Sequence, residues 1–137
     1  MWNEDMPVVQ VRIARPTDQL EKVVAFYRDG LGLREIARFA DHDGFDGVML
    51  GLPGYPYHLE FTHHHQGSPC PAPTRDNLLV LYIPDWDAIA RVQQRLEGMG
   101  YPEVEPENPY WKGQSITIED PDGWRVVLMN HPGLGDA

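Results

Sequence analysis

An internal repeat constrains this chain more than any other feature. Displacing the sequence by 68 residues without gaps sets Val11 on Leu79, Ile13 on Leu81 and Pro16 on Pro84. The same shift sets Val24 on Val92, Gly30 on Gly98 and Gly32 on Gly100. Any one match is ordinary, but the ordered set passes through a strand pattern, a helix pattern and a glycine stop, which argues for duplication. In the first copy Val9, Val11 and Ile13 alternate with Gln10, Arg12 and Ala14, the period of a strand with two unlike faces. Pro16-Thr17-Asp18 ends that strand and can cap a helix, in which Leu20, Val23, Val24 and Tyr27 recur at helical spacing through about Arg28. Three more strands are expected near 34–39, 45–50 and 57–62, punctuated by glycines. The second copy repeats the pattern. Leu79, Leu81 and Ile83 alternate, Ile89, Val92 and Leu96 have helical spacing, and later strands are expected near 103–104, 115–119 and 124–129.

Each copy alone would be a small sheet with one helix, short of a sufficient core. The expectation is therefore a single domain over 1–137, with module one at about 8–66 and module two at about 77–131. Between them lies an extended connector, 67–76, whose Pro69, Pro71 and Pro73 forbid a helix or a central strand. The fold class is α+β: two βαβββ modules whose curved mixed sheet surrounds a cup-shaped cleft. Strand alternation then sends Gln10, Arg12, His58, Glu60, Leu78, Val80 and Tyr82 to the cleft, and Val11, Ile13, Leu59, Phe61, Leu79 and Leu81 to the helices.

The charge balance narrows the partners. Twenty-one acidic against 11 basic residues give a formal charge of −10, a field that repels nucleic-acid backbones and anionic membranes and attracts a cationic small molecule. A lone cysteine, Cys70, excludes an intrachain disulfide and suits a reducing cytosol. The first residues lack the basic and apolar regions of a signal peptide, and no apolar run approaches membrane-spanning length, so a cytoplasmic location is expected.

Three segments carry a resemblance: Val24-Ala25-Phe26-Tyr27-Arg28-Asp29-Gly30-Leu31-Gly32-Leu33, His58-Leu59-Glu60-Phe61, and Asp120-Pro121-Asp122-Gly123-Trp124-Arg125-Val126-Val127-Leu128. In this order and at these separations the chain resembles the vicinal-oxygen-chelate superfamily, which contains glyoxalase I, bleomycin-resistance proteins and extradiol dioxygenases. The resemblance implies a homodimer, and in the catalytic members a divalent metal held by one side chain from the first and one from the fourth strand of each module. Glu60 matches the fourth-strand ligand of module one. The matching position of module two is Val127, and its first-strand position is Leu78. In module one the repeat selects Gln10 for the first-strand position, while a gapless match to the helix selects Arg12. Leucine and valine offer no lone pairs and an arginine repels the ion, so fewer than the three protein ligands of a catalytic site survive.

No cofactor is therefore expected, and the chain reads as a binder of a small organic ligand, a cationic or aromatic compound, in contact with Arg12, Glu60, Leu78, Tyr82, Trp111 and Val127. The alternative is a lyase or dioxygenase using Zn, Ni, Fe or Mn on a non-standard set, Gln10, His58 and Glu60, with Glu60 and His58 as its acid–base pair. Glu60 is equally readable as a carboxylate paired with Arg12 for structural reasons. The run His63-His64-His65 attracts a metal reading, but consecutive side chains point different ways and seldom converge on one ion. His42 is expected in an exposed turn, and Cys70 as a passive thiol.

Overall fold

The computed structural model of the protein describes residues 4–52 and 54–135. Its elements follow the order that the repeat predicts. Module one runs β1 (Val11–Pro16), α1 (Leu20–Val24, continued as a π-helix over Ala25–Gly30), β2 (Arg34–His42), β3 (Phe45–Gly51) and β4 (Tyr57–His64). Module two runs β5 (Leu78–Tyr82), α2 (Trp86–Gly98), β6 (Glu103–Val104), a 3₁₀ turn (Pro109–Trp111), β7 (Ser115–Glu119) and β8 (Arg125–Met129). The chain divides into two compact units, Met1–Cys70 and Pro71–Ala137. Each unit holds a four-stranded mixed sheet, in the order β1-β4-β3-β2 in the first and β5-β8-β7-β6 in the second. β1 with β4, and β5 with β8, pair in parallel, while the remaining neighbours are antiparallel. The two βαβββ modules are thus α+β units with one topology.

In module one α1 buries Val23, Val24, Phe26 and Tyr27 against the sheet residues Val48, Leu50, Leu59 and Phe61. The Tyr27 and Phe61 rings lie 4.8 Å apart, so the odd-numbered face of β4 meets the helix, as the alternation requires. The helix widens at its end, where the Leu31 amide donates to the Phe26 carbonyl and Gly32, at φ 92°, reverses the chain. On its outer side Arg38 bonds both Glu35 and Glu21, tying β2 to the helix.

β1 starts at Val11, not near residue 8, and Val9 is 86% exposed. Ile13, expected against the helix, is 55% exposed, because β1 is the edge strand of its sheet while α1 packs against β4. β2 and β4 run further than expected, to His42 and His64. Their extension is set by a tight reversal at Asp41, Asp43 and Gly44, all at positive φ.

In module two Asp85 caps α2 by accepting from the Asp87 and Ala88 amides, and the helix buries Ile89 and Leu96. The β7–β8 reversal is fixed by Asp120, whose Oδ1 accepts from the Asp122 and Trp124 amides at 2.8 and 2.9 Å. Among the described residues no helix is long and apolar enough to cross a membrane.

Candidate functional site

The parallel ladder of module one sets Arg12 opposite His58 and Ala14 opposite Glu60, while β3 sets Gly51 beside His58 and Met49 beside Glu60. Arg12, His58 and Glu60 therefore share the sheet face turned away from α1. Arg12 Nε donates to His58 Nε2 at 2.9 Å, and its Nη1 stands 3.7 Å from Glu60 Oε1. A guanidinium can only donate, so His58 accepts at Nε2 and, when neutral, carries its proton on Nδ1. That Nδ1 is buried and has no partner among the described residues. His58 is 7% exposed. The Arg12 side chain is 49% exposed and that of Glu60 13%. One half-exposed cation thus engages both neighbouring groups, and the polar centre carries no net charge beyond what Arg12 and Glu60 cancel.

The ladder also decides between Gln10 and Arg12. Leu78 pairs with Arg125 and Val80 with Val127 in module two, as Arg12 pairs with His58 and Ala14 with Glu60 in module one. Arg12 is the counterpart of Leu78, and Glu60 the counterpart of Val127. Gln10 precedes β1 and is exposed; at roughly 3.3 Å per residue it lies about 13 Å along the chain from the residue facing Glu60. Arg12, and not Gln10, is the residue in contact with both His58 and Glu60. Among the described residues no three His, Cys, Asp or Glu side chains gather as metal donors. The side chains of each module fit a metal poorly: in module one Arg12 occupies the first-strand position and donates to His58 Nε2, and the matching first- and fourth-strand positions of module two are Leu78 and Val127, which carry no donor atoms.

The three consecutive histidines diverge. His63 Nδ1 lies 2.9 Å from the Thr17 carbonyl, His64 meets the Phe45 ring edge-on, and His65 Nε2 lies 3.1 Å from Asp46 Oδ1. Asp46 accepts from the Asp41 amide and from His65, which hold its carboxyl below the usual range; Asp46 in turn raises His65. This is a clamp on the β2–β3 hairpin. His42, at the end of β2, is exposed beside Asp43.

Module two holds a hollow of about 350 Å³ walled by Val104, Glu105, Trp111, Lys112, Ser115 and Thr117. Thr117 lies in a cross-strand row with Val104 and Val127. Ser115 donates to the Trp111 carbonyl at 2.6 Å, which seats the indole-bearing turn on β7. Arg125, 4% exposed, anchors the opposite wall: its Nη1 donates to the Glu105 carbonyl at 2.7 Å, and its Nε and Nη2 donate to Glu119 Oε1 at 3.2 and 2.9 Å. Lys112 and Glu105 pair at the rim. Of the residues expected to touch a ligand, Trp111 lines this hollow, and Tyr82 is 42% exposed with its ring against His131. Leu78 is half-buried. Val127 is fully buried between Val80 and Thr117 and offers no surface to a ligand. Ser115, Thr117 and Arg125 are absent from that expected set. The signal was present in β7, where Ser115, Thr117 and Glu119 alternate with Ile116 and Ile118, a polar face opposite a buried one.

Known proteins match this architecture throughout. Residues 11–62 match the YycE-like N-terminal domain and residues 76–130 the YycE-like C-terminal domain. YycE of Bacillus subtilis (strain 168) is 54% identical over 125 residues, covering 91% of this chain and 90% of its own. The crystal structure of a YycE protein of unknown function from Bacillus subtilis superimposes with a TM-score of 0.93 at 50% identity, covering 98% of each chain. At 17% identity, the trypanothione-dependent glyoxalase I of Leishmania major shares the fold, with a TM-score of 0.68 over 87% of this chain and 84% of its own. At 24%, so does TnmS3, an antibiotic binding protein from Streptomyces sp. CB03234, with a TM-score of 0.63 over 90% and 97%. The chain has the vicinal-oxygen-chelate fold and belongs to the YycE-like family.

Proposed function

We propose that this protein binds a small aromatic molecule without the metal centre of the catalytic relatives, and sequesters it rather than transforming it. The observation that carries this reading is the Arg12 guanidinium, bonded to His58 and facing Glu60 where a metal would need both groups free. The indole of Trp111, on the wall of a hollow, supplies a surface suited to an aromatic ring. Because Arg12 offsets Glu60, a preference for cations would come from the overall charge of −10 and not from this carboxylate. TnmS3, with the same fold, is an antibiotic binding protein. We further place the chain in the cytoplasm as a homodimer, in keeping with its single cysteine and with the superfamily resemblance.

A thermal-shift panel of neutral and cationic aromatic compounds, run with and without EDTA, tests the reading. A ligand at 100 times its Kd adds about 2.7 kcal/mol of stability, a rise of several degrees in Tm, and the chelator is expected to leave it unchanged. Stabilisation that needs an added divalent metal, or none with any compound, overturns it and returns the metal-dependent lyase or dioxygenase to the front.

A further inference from the structure

Thr117 stands out among the walls of the module-two hollow. It is only 2% exposed and lines the hollow, and its side chain is not tied up by either neighbour in its cross-strand row, Val104 or Val127. That hydroxyl is not one of the sealed-off polar atoms left without a partner, so it opens on the hollow, where a guest can exchange a hydrogen bond with it. Two residues along the same strand face, Ser115 spends its proton on the Trp111 carbonyl. Its oxygen can therefore still accept but not donate. The floor thus offers one group that both gives and takes a hydrogen bond and one that only takes.

We propose that this hollow takes a neutral phenolic compound, its ring against Trp111 and its hydroxyl between Thr117 and Ser115. This deepens the small-molecule reading above and rests on it. A phenol matches the floor in both directions, accepting from Thr117 and donating to Ser115, whereas a bare carbonyl leaves Ser115 unmatched. Neutrality follows from the walls: Glu103 and Glu105 border the hollow, and Lys112 is already paired with Glu105. A carboxylate or phosphonate guest would meet like charge there. Val104 and Trp111 supply the apolar contact, and about 350 Å³ holds a substituted single ring with room to spare. Arg125 keeps the walls in place before the ligand arrives, so little ordering is left to binding.

The test titrates the full chain with para-cresol and, separately, with toluene, reading dissociation constants by saturation-transfer NMR. Thr117→Val keeps the shape of the side chain and suits a strand, so it folds. It is expected to weaken para-cresol about fivefold, the loss of one hydrogen bond, and to leave toluene unchanged. Trp111→Ala is expected to weaken both compounds at least tenfold. Trp86→Phe, at an exposed position on α2, serves as the control and changes neither. Equal affinity of T117V and the unaltered chain for para-cresol, no loss in W111A, or no binding of either compound overturns the phenolic site. In each case a hit in the aromatic panel would leave the broader reading standing, and the two failures remain distinguishable.

Discussion

Arg125→Met tests how the second module is held together. The guanidinium is 4% exposed and makes three hydrogen bonds, two to the Glu119 carboxylate and one to the Glu105 carbonyl. Methionine keeps most of the apolar stem, so the loss falls on the polar head. Removing one partner of a buried charge pair costs about 3–5 kcal/mol. The Glu119 side chain is 38% exposed and regains water, which puts the expected loss at the lower end, about 3 kcal/mol. In urea, with a slope of roughly 1.5 kcal/mol per molar, the midpoint falls by about 2 M at unchanged slope. The exposed Lys112–Glu105 pair, with side chains 59% and 84% exposed, provides the contrast. Lys112→Met is expected to cost less than about 0.5 kcal/mol. A midpoint shift for R125M no larger than that for K112M would refute the view of Arg125 as the pin between β8, β7 and the residues after β6.

Three further outcomes follow from the geometry. Glu60→Gln is expected to change stability by less than about 1 kcal/mol, because its contact with half-exposed Arg12 is 3.7 Å and no hydrogen bond is lost, and to leave the thermal response to aromatic compounds unchanged, since Glu60 does not line the module-two hollow. Unfolding in urea together with the thermal-shift panel reads both, and a lost response at unchanged stability would put Glu60 in the binding site instead. The His65 imidazole is expected to titrate above its ordinary range in an NMR pH series, and Asp46→Asn to lower it. Since the folded value is raised, its contribution to stability is complete below the unfolded histidine pKa and fades as pH rises through the folded one; that of Asp46, held low, is present above the unfolded carboxylate range and fades as pH falls. Finally, a Cβ at Gly47 would land on the Phe39 ring, whereas one at Gly51 meets the tip of the exposed Ile36 side chain. Gly47→Ala is expected to cost about 1–3 kcal/mol and Gly51→Ala clearly less, compared by thermal melting.

Much of the architecture was legible in the chain because it is written in local periods. Two-residue alternation marked β1, β5 and the faces of β4, and the run from Leu20 to Tyr27 marked α1. The glycine stops and the Asp120 turn also depend on residues close in sequence. The candidate site was legible in part. His58 and Glu60 fall on one face by their spacing, and Arg12 was one of two choices. The π-turn ending α1 and the length of β4 were not legible, since they follow from Gly32 and from the tight reversal at Asp43 and Gly44 acting together with the sheet.

The amino-acid order alone settles that there are two like modules, that their strands have an apolar and a mixed face, and that leucine and valine stand at the module-two positions where the resemblance implies metal donors. Folding in three dimensions chose Arg12 over Gln10, because register in a parallel pair is set by hydrogen bonds between strands 46 residues apart. It likewise buried Val127, turned the histidine run to three separate partners, and made the hollow at Thr117 by hooking the Glu105 carbonyl onto a guanidinium 20 residues away. Contacts of such range leave no period in a sequence, since each is chosen by the packing of every strand between its ends.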